Sequence, residues 1–263
     1  MPAPLYLAHN LNPAYLLRYS WAAFPANGTR LPAHPPDGLL DLLSSSWEAD
    51  GIRLLEHRWD AQRVQATFST TPRVAPDFLA ARAKGRLQHA LRQAGIGASF
   101  ARNFSVRAIG NNTRETVEHY VHEQVRRGDF ADPKYREGLR LACWTNPEID
   151  LRQPIETTRG RYWYVLHLVL VTSDRYRIDA ETTARVVSEG CRAVAAKHCY
   201  QLSCVAVMPD HLHLVLQGAP ADSPEKIALC FQNNLAWLLG QVRVWESNYY
   251  AGTTGEYTMH AVR

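Results

Sequence analysis

The chain has 263 residues, a formal net charge of +4, 46% apolar residues and 21% charged residues. That balance describes a soluble globular chain with room for one large domain or two ordinary ones, and excludes a disordered or fibrous protein. No apolar run nears the roughly 20 residues of a membrane span, and "MPAPLYLAHNLNPAYLL" lacks the basic start and long apolar core of a secretion signal. The five cysteines are odd in number and form no CxxC pair, so a reducing cytoplasm is the expected compartment.

The first predicted strand is "YLLRYSWAAF" from Tyr15, followed by a Pro/Gly-rich exposed loop, "FPANGTRLPAHPPDG". An alternating strand lies in "RWDAQRVQATFSTTPRVAP", which ends at Pro72 and Pro76, and a helix follows over "DFLAARAKGRLQHALRQAG". "FARNFSVRAIGNNTRETVEHYVHEQ", Phe100 to Gln124, passes through a glycine turn into a second helix, with Asn112 as expected N-cap and Glu115 three residues on. The next segment, Arg126 to Arg161, has turn signals at Gly128-Asp129, Asp132-Pro133 and Asn146-Pro147. It can hold a short helix around "KYREGLRLA" and reads as a structured linker.

The same plan then begins again. "WYVLHLVLVT" from Trp163 answers the strand at Tyr15, and "VMPDHLHLVLQGAPADSP" answers the alternating strand, with Pro220 and Pro224 at one constant offset from Pro72 and Pro76. A helix over "KIALCFQNNLAWLLGQV" and a last segment "WESNYYAGTTGEYTMHAVR" complete it. In that last segment Asn103 aligns with Asn248, Gly110 with Gly255, Thr113 with Thr258 and Val117 with Val262. The expectation is an internal duplication: a first unit over 1–125, a linker over 126–161 and a second unit over 162–263. Each is an α+β unit with an antiparallel sheet.

The copies differ in complementary ways. His211 and His213 are two apart in an apolar strand, so both imidazoles leave the same face. The first copy has Arg63 and Gln65 there. The first copy's last helix carries Tyr120 and Gln124, four apart and therefore on one helical face. The second copy ends before the corresponding position. A pair of histidines on a rigid strand can hold a divalent ion, and a phenol aimed at the same place can attack a phosphate that the ion neutralises. The plainer readings are that the histidines are structural and that Tyr120 is a surface or packing residue. His122 should face away from Tyr120, while Glu123 could compete with Gln124. Asp210 fits either a hydrogen-bond acceptor for a histidine or a turn beside Pro209. His167, in "LHLVL", lacks a second histidine and reads as a strand residue. Tyr249 and Tyr250 fit packing or base stacking.

"VMPDHLHLVL" resembles the His-hydrophobic-His motif of HUH single-strand endonucleases, in the form seen in IS200/IS605 and REP-associated tyrosine transposases. "GNNTRETVEHYVHEQ" resembles the helix that carries that family's nucleophilic tyrosine and a glutamine as third metal ligand. The resemblance covers most of the chain, once per half. It implies two tandem ferredoxin-like HUH-type units arranged as a pseudo-dimer within a single chain, with Tyr120 as nucleophile and His211, His213 and Gln124 as ligands of Mg²⁺ or Mn²⁺. It also implies cleavage beside single-stranded DNA hairpins through a 5′-phosphotyrosine bond, and one composite site suggests a domesticated enzyme. The alternatives are a transposase remnant that binds hairpins without cutting and a metal-dependent hydrolase that uses water. For DNA contacts the basic residues of the first half stand out, among them Arg82, Lys84, Arg86, Arg102 and Arg107, with Trp245 and Tyr250 as stacking surfaces. A solvated basic face is the plain reading of the same charges.

Overall fold

The computed structural model describes residues 5–240 and 243–256. The proposed matches of Thr258 and Val262 lie outside the described residues. A short strand β1 (Ala14–Leu16) precedes β2 (Arg18–Pro25), α1 (Leu39–Glu48), the hairpin β3 (Ile52–Asp60) and β4 (Arg63–Thr70), α2 (Pro76–Gln93) and β5 (Phe100–Ile109). Two helices follow, α3 (Arg114–Arg127) and α4 (Pro133–Ala142), then the short strands β6 (Trp144–Thr145), β7 (Ile155–Glu156) and β8 (Gly160–Trp163). The second half repeats the plan as β9 (Val165–Thr172), α5 (Thr183–Lys197), β10 (Gln201–Val207), β11 (His211–Gln217), α6 (Pro224–Leu238) and β12 (Trp245–Thr253).

There are two six-stranded sheets, in the orders β3-β4-β2-β5-β8-β7 and β1-β12-β9-β11-β10-β6. In each, the unit's first strand lies between its third and fourth, all antiparallel. That is the ferredoxin-like order, and two tandem α+β units are what the sequence led one to expect. The segment between the units is more than a spacer. It supplies α4, an edge strand to the second sheet and two strands to the first. The helix expected to close the first unit at residue 125 runs on to Arg127.

The units exchange strands reciprocally. β1 pairs in parallel with β12, Tyr15 opposite Ala251, and β8 pairs in parallel with β5, Tyr162 opposite Val106. The register makes Tyr162, not Trp163, the counterpart of Tyr15, so the constant proline offset slips by one residue in the first strand. A near-continuous apolar run such as "WYVLHLVLVT" does not display such a slip, because neighbouring alignments set apolar against apolar about equally well. The prolines themselves obey the offset. Both α2 and α6 start with proline, which lacks an N–H to leave unpaired. The next amide of each helix donates to the other half: Asp77 N to Pro220 O at 3.1 Å, and Glu225 N to Pro72 O at 2.9 Å.

The glycine turns meet at the same seam. Gly110 N donates to Gly255 O at 3.1 Å and Gly255 N to Asn112 O at 3.2 Å. A side chain on Gly110 would run into the Thr253 carbonyl, and one on Gly255 would sit 2.6 Å from the Ala108 carbonyl. Backbone meets backbone there, so no side chain can move aside. Gly110→Ala is expected to destabilise the protein by about 1–3 kcal/mol, the usual cost of overpacking, measured as a lowered denaturation midpoint with an unchanged slope. A midpoint equal to wild type would show that the seam can open without cost. Asn112 is occupied by this contact, and Thr113 rather than Asn112 caps α3, its hydroxyl accepting Thr116 N at 3.1 Å.

The inner faces of both sheets, with α1, α2, α5 and α6, share one continuous core. Tyr19 of β2 and Tyr164, the residue before β9, pack with ring centres 6.1 Å apart. Among the described residues no helix is long and apolar enough to cross a membrane.

Candidate active site

β11 alternates as expected. Leu212, Leu214 and Leu216 point into the shared core. His211, His213 and Val215 leave by the opposite face, where Val215 joins a second, smaller cluster with Val117 and Val121 of α3. Cys204, Ala206, Val165 and Leu151 complete that cluster. Thus α3, the last helix of the first unit, lies on the outer face of the second unit's sheet. The Gly110–Gly255 crossing delivers the chain to that side. Arg114 Nη1 to Leu151 O at 2.6 Å and a hydrogen bond from Ser203 to Glu118 hold the helix down.

This packing brings Tyr120 to the histidines. Its ring centre is 5.9 Å from His213 and 6.4 Å from His167, both edge-on, while His211 and His213 are 4.9 Å apart. Tyr120 is 44% exposed and His213 only 4%. The phenol therefore faces an open side, while the imidazole forms the floor. Gln124 lies one turn further on the same helix, but its amide donates to Tyr120 O at 3.3 Å and is bonded to neither histidine. Glu123, its possible competitor, is turned to Arg126 Nε at 2.9 Å.

The histidine nitrogens are individually placed. His211 Nδ1 is 2.7 Å from Asp210 Oδ1, and the other carboxylate oxygen takes Arg175 Nη1 at 2.9 Å. Burial alone would raise the Asp210 pKa, but the hydrogen bonds from His211 and Arg175 carry it below its ordinary value. Arg175 and its neighbour Asp174 both sit at φ 53°, the left-handed region that costs roughly 1–3 kcal/mol for such residues. That strain supports the arm that reaches Asp210. Asp210 also serves the turn, its carbonyl accepting Thr172 N at 2.9 Å. Burial pushes the His213 pKa down to about 3, and that of His167 down to about 4, so both rings are neutral near pH 7.

His167 is the residue that sequence reasoning passed over. Its Nε2 lies 3.0 Å from His213 Nδ1, with the two rings stacked 5.2 Å apart. Tyr250 packs edge-on against its other side at 5.8 Å. The remaining nitrogen of His213, Nε2, is buried with no hydrogen-bond partner among the described residues. A buried lone pair with no donor is costly unless something else binds it. With Asp210 holding one nitrogen of His211, a metal ion is the fitting occupant: two imidazoles, each with its far nitrogen engaged and its near nitrogen open. Among the described residues no three His, Cys, Asp or Glu side chains are grouped to hold a metal. A third ligand must be of another kind, which Gln124 could be after rotating away from Tyr120 O.

Residues 161–263 match the family described as IS200-like transposase. That match spans the second unit and leaves the first outside it. No curated protein matches the chain. A crystal structure of a Deinococcus radiodurans R1 protein assigned as a transposase is similar over 41% of this chain and 90% of its own, at 20% identity and a TM-score of 0.30. The IS200-like match includes His211 and His213 but stops short of Tyr120 and Gln124, which lie upstream of it.

Of the sequence-derived DNA contacts, several are already engaged. Arg82 and Arg86 lie 3.7 and 2.6 Å from Asp50. Arg107 stacks over Trp163 at 4.5 Å. Trp245 is 2% exposed and offers no face for stacking: it faces the core, where the expectation needed a surface ring. Tyr250 is spent on His167. Lys84 and Arg102 do line a groove of about 900 Å³, together with Arg92, Arg159 and His89, which the sequence did not single out.

Proposed function

We propose that this chain is a metal-dependent single-strand DNA endonuclease and strand transferase of the transposase type, acting at one composite site. The observation that carries the reading is the Tyr120 ring lying 5.9 Å from His213, across the boundary between the two halves. His211 and His213, with Gln124 as third ligand, would hold Mg²⁺ or Mn²⁺, and the bound ion would neutralise the scissile phosphate. The Tyr120 hydroxyl attacks phosphorus while the P–O3′ bond breaks. The product is a 5′-phosphotyrosine and a free 3′-hydroxyl: the phenol proton leaves to the solvent at this exposed edge, and the departing 3′-oxygen takes one up from water. Rigid placement on a packed helix is the main contribution of the protein, since orientation alone can supply several kcal/mol of barrier lowering.

In the first unit the equivalent positions are Arg63 and Gln65, which lack imidazole nitrogens. Gln65 is fully buried and donates to Ser20 Oγ at 3.1 Å. The chain then stands for a pseudo-dimer with one site, a reading supported by the reciprocal pairing of β1 with β12 and β8 with β5. One site can cut and rejoin a strand but does not provide the paired exchange of two ends, which suits a domesticated role.

For substrate, the groove along α2 and β5 is the best path. Arg92, Arg102 and Arg159 line it without an ion-pair partner among the described residues, beside Lys84, whose Nζ donates to Ala101 O, and against Asp77 alone. Cations without an ion-pair partner track phosphates. Lys84→Glu with Arg102→Glu is expected to weaken binding of hairpin oligonucleotides of any sequence and to flatten the salt dependence by about two counterions. An unchanged salt slope, read by fluorescence anisotropy, would place the strand elsewhere. Denaturing gels of end-labelled hairpin oligonucleotides with Mg²⁺ or Mn²⁺ test the whole reading. Cleavage beside the hairpin is expected, whereas binding without cleavage would leave a hairpin-binding remnant.

A further inference from the structure

The geometry points to His167 as a positioning residue that fixes the tautomer and orientation of His213. This rests on the proposed metal role of His213. His213 has two ring nitrogens, and only one can carry the proton when the ring is neutral. For Nε2 to offer a lone pair, the proton must sit on Nδ1 and needs an acceptor. His167 Nε2, 3.0 Å away, is that acceptor. Histidines that bind metals ordinarily give this second proton to a carboxylate or a carbonyl, as His211 does to Asp210 here. Among the described residues no carboxylate is bonded to His213, and a neutral imidazole takes the place of one.

The sheet explains why only His167 can do this. His213 is directly opposite Val169 on β9, while His167 is opposite Val215, so the two rings meet on the diagonal. The near-parallel stack, 14° between planes, also prevents His213 from turning about its own axis. On the far side His167 faces Gly252 of β12, where an added side chain would strike the Tyr250 hydroxyl. The Tyr250 ring therefore lies over this glycine and closes the outer edge of His167.

The first unit repeats the device in other residues. Gln65 stands for His213 and is opposite Ala22 on β2, and its diagonal partner, two residues earlier, is Ser20. Gln65 Nε2 donates to Ser20 Oγ at 3.1 Å. At these positions the first unit thus has a small hydroxyl acceptor, Ser20, where the second unit has His167. Both members of the pair differ together, as expected of a slot whose task is to receive a proton from the strand beside it.

The test uses the full chain and Mn²⁺ alone, without DNA. His167→Leu keeps most of the volume and removes the acceptor, while His167→Gln retains an acceptor through Oε1. Leu is expected to weaken Mn²⁺ binding about 10–100-fold, the range for lost partners of metal-bound histidines, and Gln to recover most of it. In the metal-free wild type, ¹⁵N spectra should show the His213 proton on Nδ1. Mn²⁺ affinity of the Leu variant within twofold of wild type would overturn the inference, and so would equal weakening by Leu and Gln, which means packing. If Leu fails to fold, a His213 proton found on Nε2 overturns it equally well. His213→Ala separates the two levels: if that protein still binds Mn²⁺ like wild type, the metal reading itself fails, whatever His167 does.

Discussion

Tyr120→Phe protein is expected to bind hairpin-flanked single strands with wild-type affinity and to form no covalent adduct. Phenylalanine keeps the ring that packs edge-on against His213 and His167, so the floor of the site and the seating of α3 survive. What disappears is the attacking oxygen, and losing a nucleophile typically costs at least about 10³-fold in rate. Wild-type protein should show a band of retarded mobility on denaturing gels, and mass spectrometry should place the adduct on Tyr120. Cleavage by the Phe variant at an unchanged rate would favour a hydrolase that uses water. An adduct on Tyr249 is opposed by its burial in the core, and one on Tyr250 by its place against His167. Finding either would move the nucleophile into the second half.

The second large effect concerns the histidines. His211→Ala should lower Mn²⁺ affinity at least about 100-fold and abolish metal-dependent cleavage while leaving hairpin binding nearly intact, because phosphate contacts dominate affinity. Calorimetric titration with Mn²⁺ and gel cleavage read the two consequences separately. Because α3 is packed on the second sheet of its own chain through Val117 and Val121, the proposed site is expected to assemble within one molecule. Mixing His211→Ala with Tyr120→Phe protein should therefore restore nothing, since each molecule still lacks one part. Recovered cleavage in the mixture would show that α3 exchanges between chains. Metal-dependent cleavage by His211→Ala at the wild-type rate would refute the metal assignment outright.

The sequence by itself determined the local half of this picture. Period-two alternation put His211 and His213 on one face of β11, and helical spacing put Gln124 one turn from Tyr120. Paired prolines and glycines revealed two copies of one plan, and proline at the first helical position marked the starts of α2 and α6. These features are decided within a few residues by backbone geometry, so they can be read without knowing the rest of the chain.

Tertiary structure decided everything that depends on which surfaces meet. α3 covers the second sheet because Gly110 and Gly255 let two backbones cross, a contact between segments far apart in the chain. His167 became the partner of His213 through a diagonal register that no spacing along either strand displays. Trp245 and Arg86 look alike in sequence as candidates for DNA, yet one is sealed in the core and the other is held by Asp50. Burial and ion pairing belong to the assembled molecule: the free energy of a side chain depends on neighbours brought in by long-range pairing, and a linear pattern specifies those neighbours only through the fold.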